Sequence, residues 1–247
     1  MIHHFEVLDS TSSHALALAR QGAVQGTVVL ADQQTGGRGR AGRQFCSPLG
    51  GLYFSVILRP ALDPVDFPLL TLAAGVGLAA GLRQAADVQV LLKWPNDLYL
   101  AERKLGGILS ESGLLQGGLP AFVVVGVGIN VSARPEDVPL ELRSKVISLA
   151  EAGVQSSPAA LLLPSLLEEL LATVQQLENS GKAALLAAWR RLDYLFGRPL
   201  EYDSGEKLLP ASGAGLAEDG RYRIVDCSGR EHRVMAGDVN PIRTRKG

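Results

Sequence analysis

The sequence predicts an α+β fold in two parts, a mixed strand-and-helix domain over residues 1–197 and a small β-barrel over 198–247. Three observations predict it. Apolar, β-branched runs such as "TVVLA", "LYFSVIL" and "AFVVVGVGIN" recur through the first 130 residues. From about Ser156 to Phe196 the apolar residues fall at helical spacing. After Gly197, short strands alternate with glycine turns at Ser204-Gly205, Ser212-Gly213, Asp219-Gly220 and Ser228-Gly229.

In chain order, Phe5 to Leu8 reads as a strand. Asp9-Ser10-Thr11-Ser12-Ser13 offers helix caps for "HALALARQG", which Gly22 can end. Thr27 to Ala31 and Leu52 to Pro60 read as strands flanking a glycine–arginine loop. Asp63-Pro64 opens an Ala- and Leu-rich helix to about Ala86, interrupted by glycines. "VQVLLKW", "LYLA", "KLGGILSES" and "AFVVVGVGIN" return to strand, with a hairpin turn between Leu100 and Lys104. Two helices meet at Gly181 before the barrel begins.

Of 247 residues, 47% are hydrophobic, enough for a sizeable core. Lys and Arg number 24 against 25 Asp and Glu, so any basic site must be local. Two distant cysteines, Cys46 and Cys227, make neither a disulfide scaffold nor a zinc site. "MIHHFEVLDSTSSH" lacks the apolar core of a secretory signal, and no charge-free apolar run is long enough to span a bilayer. The expectation is a reduced, soluble, cytoplasmic protein without membrane contact.

"GGRGRAGR", Gly36 to Arg43, contains a literal G-x-G-x-x-G. A dinucleotide site also needs a helix after the third glycine. "RQFCSPLGG" follows instead, and Pro48, Gly50 and Gly51 leave no room for one. No G-x-x-x-x-G-K-[ST] occurs, so a P-loop is excluded. A flexible linker would be Gly/Ser-rich and separate domains, whereas this loop joins two strands of one core. It carries Arg38, Arg40 and Arg43 without an acid. Glycine allows close approach and arginine supplies forked donors, so an anion clamp is the better reading.

A second cluster lies in "LLKWPNDLYLAERKLGGILSES". Pro-Asn-Asp is ordinary turn chemistry, a strand-start lysine is usually solvated, and Gly-Gly often marks a bulge. Together, Lys93, Asn96, Asp97, Lys104 and Gly106-Gly107 surround one hairpin in an otherwise apolar region, which favours a ligand site.

The chain resembles the bacterial biotin protein ligases, also called biotin–[acetyl-CoA-carboxylase] ligases. Four blocks carry the resemblance in the family's order: "LDSTSSHAL", "ADQQTGGRGRAGRQFCSPLGGLYFSVILRP", "LLKWPNDLYLAERKLGGILSES" and "VVVGVGINV". It implies a mixed sheet with flanking helices, like that of class II aminoacyl-tRNA synthetases, followed by an SH3-like barrel. It further implies that Ser10 and Thr11 meet the ureido ring of biotin and that Ser12 belongs to the biotin site. Gln34, Gly37, Arg38, Gly39 and Arg40 would line the biotin and biotinyl-adenylate site. Lys104 would contact carboxylate and phosphate, and Gly107 would let the strand lie against the ligand. Asn96, Asp97 and Asn130 would serve the nucleotide. Lys104, Arg38 and Arg40 would be the catalytic residues. Ser12 stands where the family often has Asn, and Phe45 where it usually has Trp. Some members carry an N-terminal DNA-binding domain; here the first block starts within ten residues, so no DNA partner is expected.

The implied reaction joins biotin to ATP, with Mg²⁺, as biotinyl-5′-AMP, then transfers biotin to a lysine of biotin carboxyl carrier protein. The carboxylate is itself the nucleophile, in keeping with the absence of any recognisable triad. The glycine loop is expected to be poorly ordered when empty and to close over the anhydride. Arg243 is a candidate contributor from the barrel. A homodimer paired through a sheet edge is compatible with the resemblance. The alternatives are a lipoate or octanoate ligase of the same fold, a non-catalytic biotin-binding module, and RNA binding through the arginine loop.

Overall fold

The structure, a computed structural model, describes residues 1–114, 120–154, 159–203, 208–234 and 239–241. Strand β1 (Ile2–Leu8) leads into helix α1 (Thr11–Arg20). Ser10 caps that helix, its hydroxyl accepting from the Ser13 amide at 3.3 Å. Strand β2 (Val28–Gln34) outruns the apolar stretch that predicts it, because pairing with β1 carries the polar Asp32, Gln33 and Gln34 along. The glycine–arginine loop turns back into β3 (Gly51–Leu58), whose eight residues are all buried.

The helix expected from Asp63 divides in two. A single 3-10 turn, Pro64–Asp66, precedes α2 (Leu69–Ala86). The glycines of α2 serve packing: a Cβ on Gly77 would sit 2.6 Å from the Leu170 Cα, and one on Gly81 2.9 Å from the Leu166 Cα. Both face a later helix, over residues 159–180. By length and composition α2 could cross a bilayer, but it is mostly buried within this core.

Four strands follow: β4 (Leu91–Lys93), β5 (Asp97–Leu100), β6 (Arg103–Leu114) and β7 (Pro120–Asn130). The expected turn joins β5 to β6, with Ala101 and Glu102 at φ 46° and 64°. Residues 131–154 carry two short pieces that the sequence pattern does not announce, a 3-10 turn (Pro135–Asp137) and α3 (Leu140–Arg143). Helices α4 (Ala159–Ser180) and α5 (Lys182–Arg191) meet at Gly181. The helical pattern runs to Phe196, yet α5 stops at Arg191. There the Leu192 carbonyl accepts from the Leu92 amide at 2.7 Å, and the Tyr194 amide donates back to Leu92 at 2.9 Å. Pairing with β4 outweighs one more helical turn.

The strands form a seven-stranded mixed sheet in the order β1-β2-β3-β7-β6-β5-β4, parallel only between β1 and β2. Helices α2, α4 and α5 cover one face and α1 the other. Along β7, Val123, Val125, Val127 and Ile129 join the larger core, while Phe122 and Val124 pack beneath α1. Gly126 and Gly128 continue the α1 face, so the side-chain layer ends there and a trough opens.

After Phe196, β8 (Pro199–Asp203), β9 (Leu208–Leu216), β10 (Tyr222–Asp226), β11 (Glu231–Val234) and β12 (Val239–Pro241) form an antiparallel sheet in the order β11-β10-β9-β8-β12. Such a sheet is that of an SH3-like domain. The Ser204-Gly205 turn lies outside the described residues. Both sheets share one apolar core: Tyr222 stacks near Trp94 and Trp189, at 5.8 and 6.4 Å between centroids. The Trp94 indole N–H donates to the Gly220 carbonyl at 3.1 Å.

Candidate active site

The trough is an open cavity of about 150 Å³. Its floor is the sheet itself, where β6 and β7 place Gly107 opposite Gly128 and Leu109 opposite Gly126. The sequence "VVVGVGIN" dictates this: alternate positions face alternate sides, and the glycines empty one side only. A Cβ on Gly126 would collide with the Ser12 hydroxyl, and one on Gly128 with the Phe45 ring.

One end of the cavity is neutral and rich in hydrogen bonds. The Thr11 amide and hydroxyl donate to Gln34 Oε1 at 2.8 and 3.2 Å. Gln34 Nε2 donates to Ser47 Oγ at 2.9 Å, and Ser55 Oγ donates to Thr11 Oγ1 at 2.9 Å. Ser12 and Ser55 share a bond at 3.2 Å. This is a chain of polar groups at the start of α1 and on the strands beside it, fixed by one another.

The other end is charged. Arg38, Arg40, Arg43 and Lys104 line the cavity, against a single lining carboxylate, Asp97. Lys104 Nζ lies 2.7 Å from Asp97 Oδ1 and 5.8 Å from the centroid of Phe45. Burial draws the Arg40 guanidinium below its ordinary pKa; nearby Asp97 opposes that, and Arg43 adds to it. Arg38 pairs with Glu111 of β6 at 2.6 Å.

The glycine–arginine loop, which the sequence leads one to expect poorly ordered when empty, is instead a tight hairpin bonded within itself. The Gly39 amide donates to Arg43 O at 2.7 Å and the Phe45 amide to Gly37 O at 2.9 Å. Its tip is a 3-10 turn, Arg40–Gly42, with Ala41 and Gly42 at positive φ. A Cβ on Gly37 would collide with the Phe45 carbonyl, so glycine is needed for the two arms to close.

Of the residues singled out by sequence, Thr11, Ser12, Gln34, Arg38, Gly39, Arg40, Asn96, Asp97, Lys104 and Gly107 meet at this cavity. Ser10 is buried as the α1 cap, and Gly37 sits at the base of the hairpin. Asn96 also donates to the Ile108 carbonyl at 2.7 Å. Asn130 lies one step beyond the trough on β7, its amide donating to Ile147 O at 3.1 Å. Lys93 lies near the Tyr99 ring, 5.7 Å from its centroid, and is not among the residues lining the cavity. Arg243 lies outside the described residues. Sequence reasoning missed Gly126, Gly128, Ser47, Ser55 and Glu111. The alternating glycines were the available signal for the first two; the others depend on pairings distant in sequence.

Three similarities bear on this site. The chain is 42% identical over 154 residues to the bifunctional ligase/repressor BirA of Bacillus subtilis, covering 62% of this chain and 47% of that protein. It thus spans about half the length of that relative. It is 34% identical over 249 residues to the biotin–[acetyl-CoA-carboxylase] ligase of Mycobacterium tuberculosis, covering 95% and 86%. The fold matches the biotin protein ligase from Aquifex aeolicus, solved in complex with biotin and ATP, with a TM-score of 0.83, 27% identity, and 98% and 99% of the two chains covered. The family model for biotin/lipoate A/B protein ligases matches residues 4–130, and on that match, together with the mycobacterial relative, the chain belongs to that family.

Proposed function

We propose that this cavity activates biotin with ATP and passes the biotinyl group to a lysine of biotin carboxyl carrier protein. One observation carries the reading: a neutral hydrogen-bonding end and a strongly cationic end share a glycine floor that lets a ligand lie against the sheet. The first end suits a ureido ring, the second a carboxylate and phosphates. The names of the mycobacterial and Aquifex relatives support it.

In the first step the biotin carboxylate oxygen attacks the α-phosphorus of ATP, and pyrophosphate leaves. Two anions must approach, so cations fixed beforehand lower the barrier. Arg40 and Lys104 would serve this, and both lie beside Asp97. In the second step a carrier lysine amine attacks the acyl carbon, an amide forms and AMP leaves. The arginine hairpin would exclude water from the mixed anhydride meanwhile.

Mg²⁺ would neutralise the leaving pyrophosphate. The donors fit an ion carried in by the nucleotide: Asp97 and Asn96 offer oxygens, and no group of three or more His, Cys, Asp or Glu gathers among the described residues. We place the reaction in the cytoplasm, a setting compatible with the free thiols of Cys46 and Cys227.

The test is mass spectrometry of a carrier domain incubated with the chain, biotin and ATP. One biotinyl group added to one lysine is expected. Labelling driven by lipoate but not biotin would instead assign the lipoate branch of the family.

A further inference from the structure

We propose that Glu111 is a positioning residue that holds the arginine hairpin closed over the cavity, with Arg38 as the link. Glu111 stands on β6, a central strand, on the α1 face opposite Val124. The hairpin is bonded within itself at Gly39–Arg43 and Gly37–Phe45, so it moves as one piece. Among the described residues, the polar side-chain ties from residues 38–43 to the body of the domain are those of Arg38, to Glu111 Oε1 at 2.6 Å and, more weakly, to Ser13 Oγ at 3.5 Å. Arg40 and Arg43 line the cavity, and among the described residues no acid is bonded to either.

The environment of Glu111 makes the tie one-sided. Its Oε2 is buried and has no hydrogen-bond partner among the described residues, where Arg38 is the cation paired with it. Were Arg38 to leave for a ligand anion, a partly buried carboxylate would lose its charged partner, which is unfavourable. Arg38 therefore stays with Glu111 and anchors the loop, while Arg40 is left to meet the ligand's charge. The pair also sets the hairpin's register, since a charge-assisted bond to a rigid strand is directional.

Loop closure can be read without any ligand, and only the kinetic arm of the test rests on the ligase reading. Glu111→Gln keeps the shape and removes the charge. Amide exchange at residues 37–45 should rise about ten-fold in the ligand-free protein, with β3 and β7 unchanged. Arg38→Gln, on a partly exposed loop where it cannot unfold the core, should release the same amides. The double variant should exchange no faster than either single one, because both remove one link. In pyrophosphate exchange, Glu111→Gln should raise the KM for biotin about ten-fold and change kcat much less. Unchanged loop exchange in either single variant, or multiplied effects in the double one, overturns the proposal. A chain that gives no biotin-dependent exchange would sink the ligase reading and leave the amide result to decide the anchor.

Discussion

Lys104 Nζ and Asp97 Oδ1 lie 2.7 Å apart across the β5–β6 hairpin, and Arg40 feels the same carboxylate. The lysine is thus held at the cavity by a partner that does not saturate it, since an ammonium has three donors. Lys104→Ala should leave Asp97 still facing Arg40, so folding should change little. Adenylation should fall by about 10²–10³, the usual cost of losing one preorganised charge contact in a transition state. Biotin-dependent ATP–pyrophosphate exchange measures it, and an unchanged rate would remove Lys104 from the chemistry.

Gly126 sets the depth of the neutral end. A methyl there would press on Ser12 Oγ and stand 3.3 Å from Ser55 Oγ, disturbing the chain of hydroxyls that ends at Thr11 and Gln34. Gly126→Ala should weaken biotin binding at least ten-fold, within the ~1–3 kcal/mol that overpacking typically costs. Titration calorimetry gives the affinity and a thermal melt gives the folding cost. Full affinity in a well-folded variant would show that the ligand does not lie against this floor.

These residues differ in how far the sequence alone exposes them. Strands β3 and β7 are legible because their β-branched runs are long and both are central. The hairpin turn at Glu102 and the Ser10 cap follow from local chemistry and are read equally well. Gln34 belongs to β2 only because β1 pairs with it, which no local propensity announces. The end of α5 is decided by β4, roughly a hundred residues earlier in the chain. Glu111 is invisible for the same reason. Seventy-three positions separate it from Arg38, and on its own it is one more polar residue in an alternating strand. Local pattern gives the elements and the glycine loop, whereas the partners that fix each charge are products of topology.

Asp193 joins the two sheets and should make their junction sensitive to pH. Its Oδ2 accepts from the Tyr222 hydroxyl at 2.8 Å and its Oδ1 from the Leu195 amide at 2.9 Å. Burial pushes its pKa up to about 6, against the downward pull of those bonds. The folded chain therefore binds this proton more tightly than the unfolded chain, whose value is near 3.8. Stability from protonation is fully present below about pH 4 and is lost as the pH rises through about 6. Asp193→Asn cannot ionise and keeps an acceptor for Leu195. Any bond it loses to Tyr222 shifts its stability by a constant amount at every pH. Its melting temperature relative to the parent chain should then climb steadily between pH 4 and 7, by an amount equivalent to roughly 2–3 kcal/mol. A difference that stays flat over that range would show that Asp193 ionises as readily folded as unfolded.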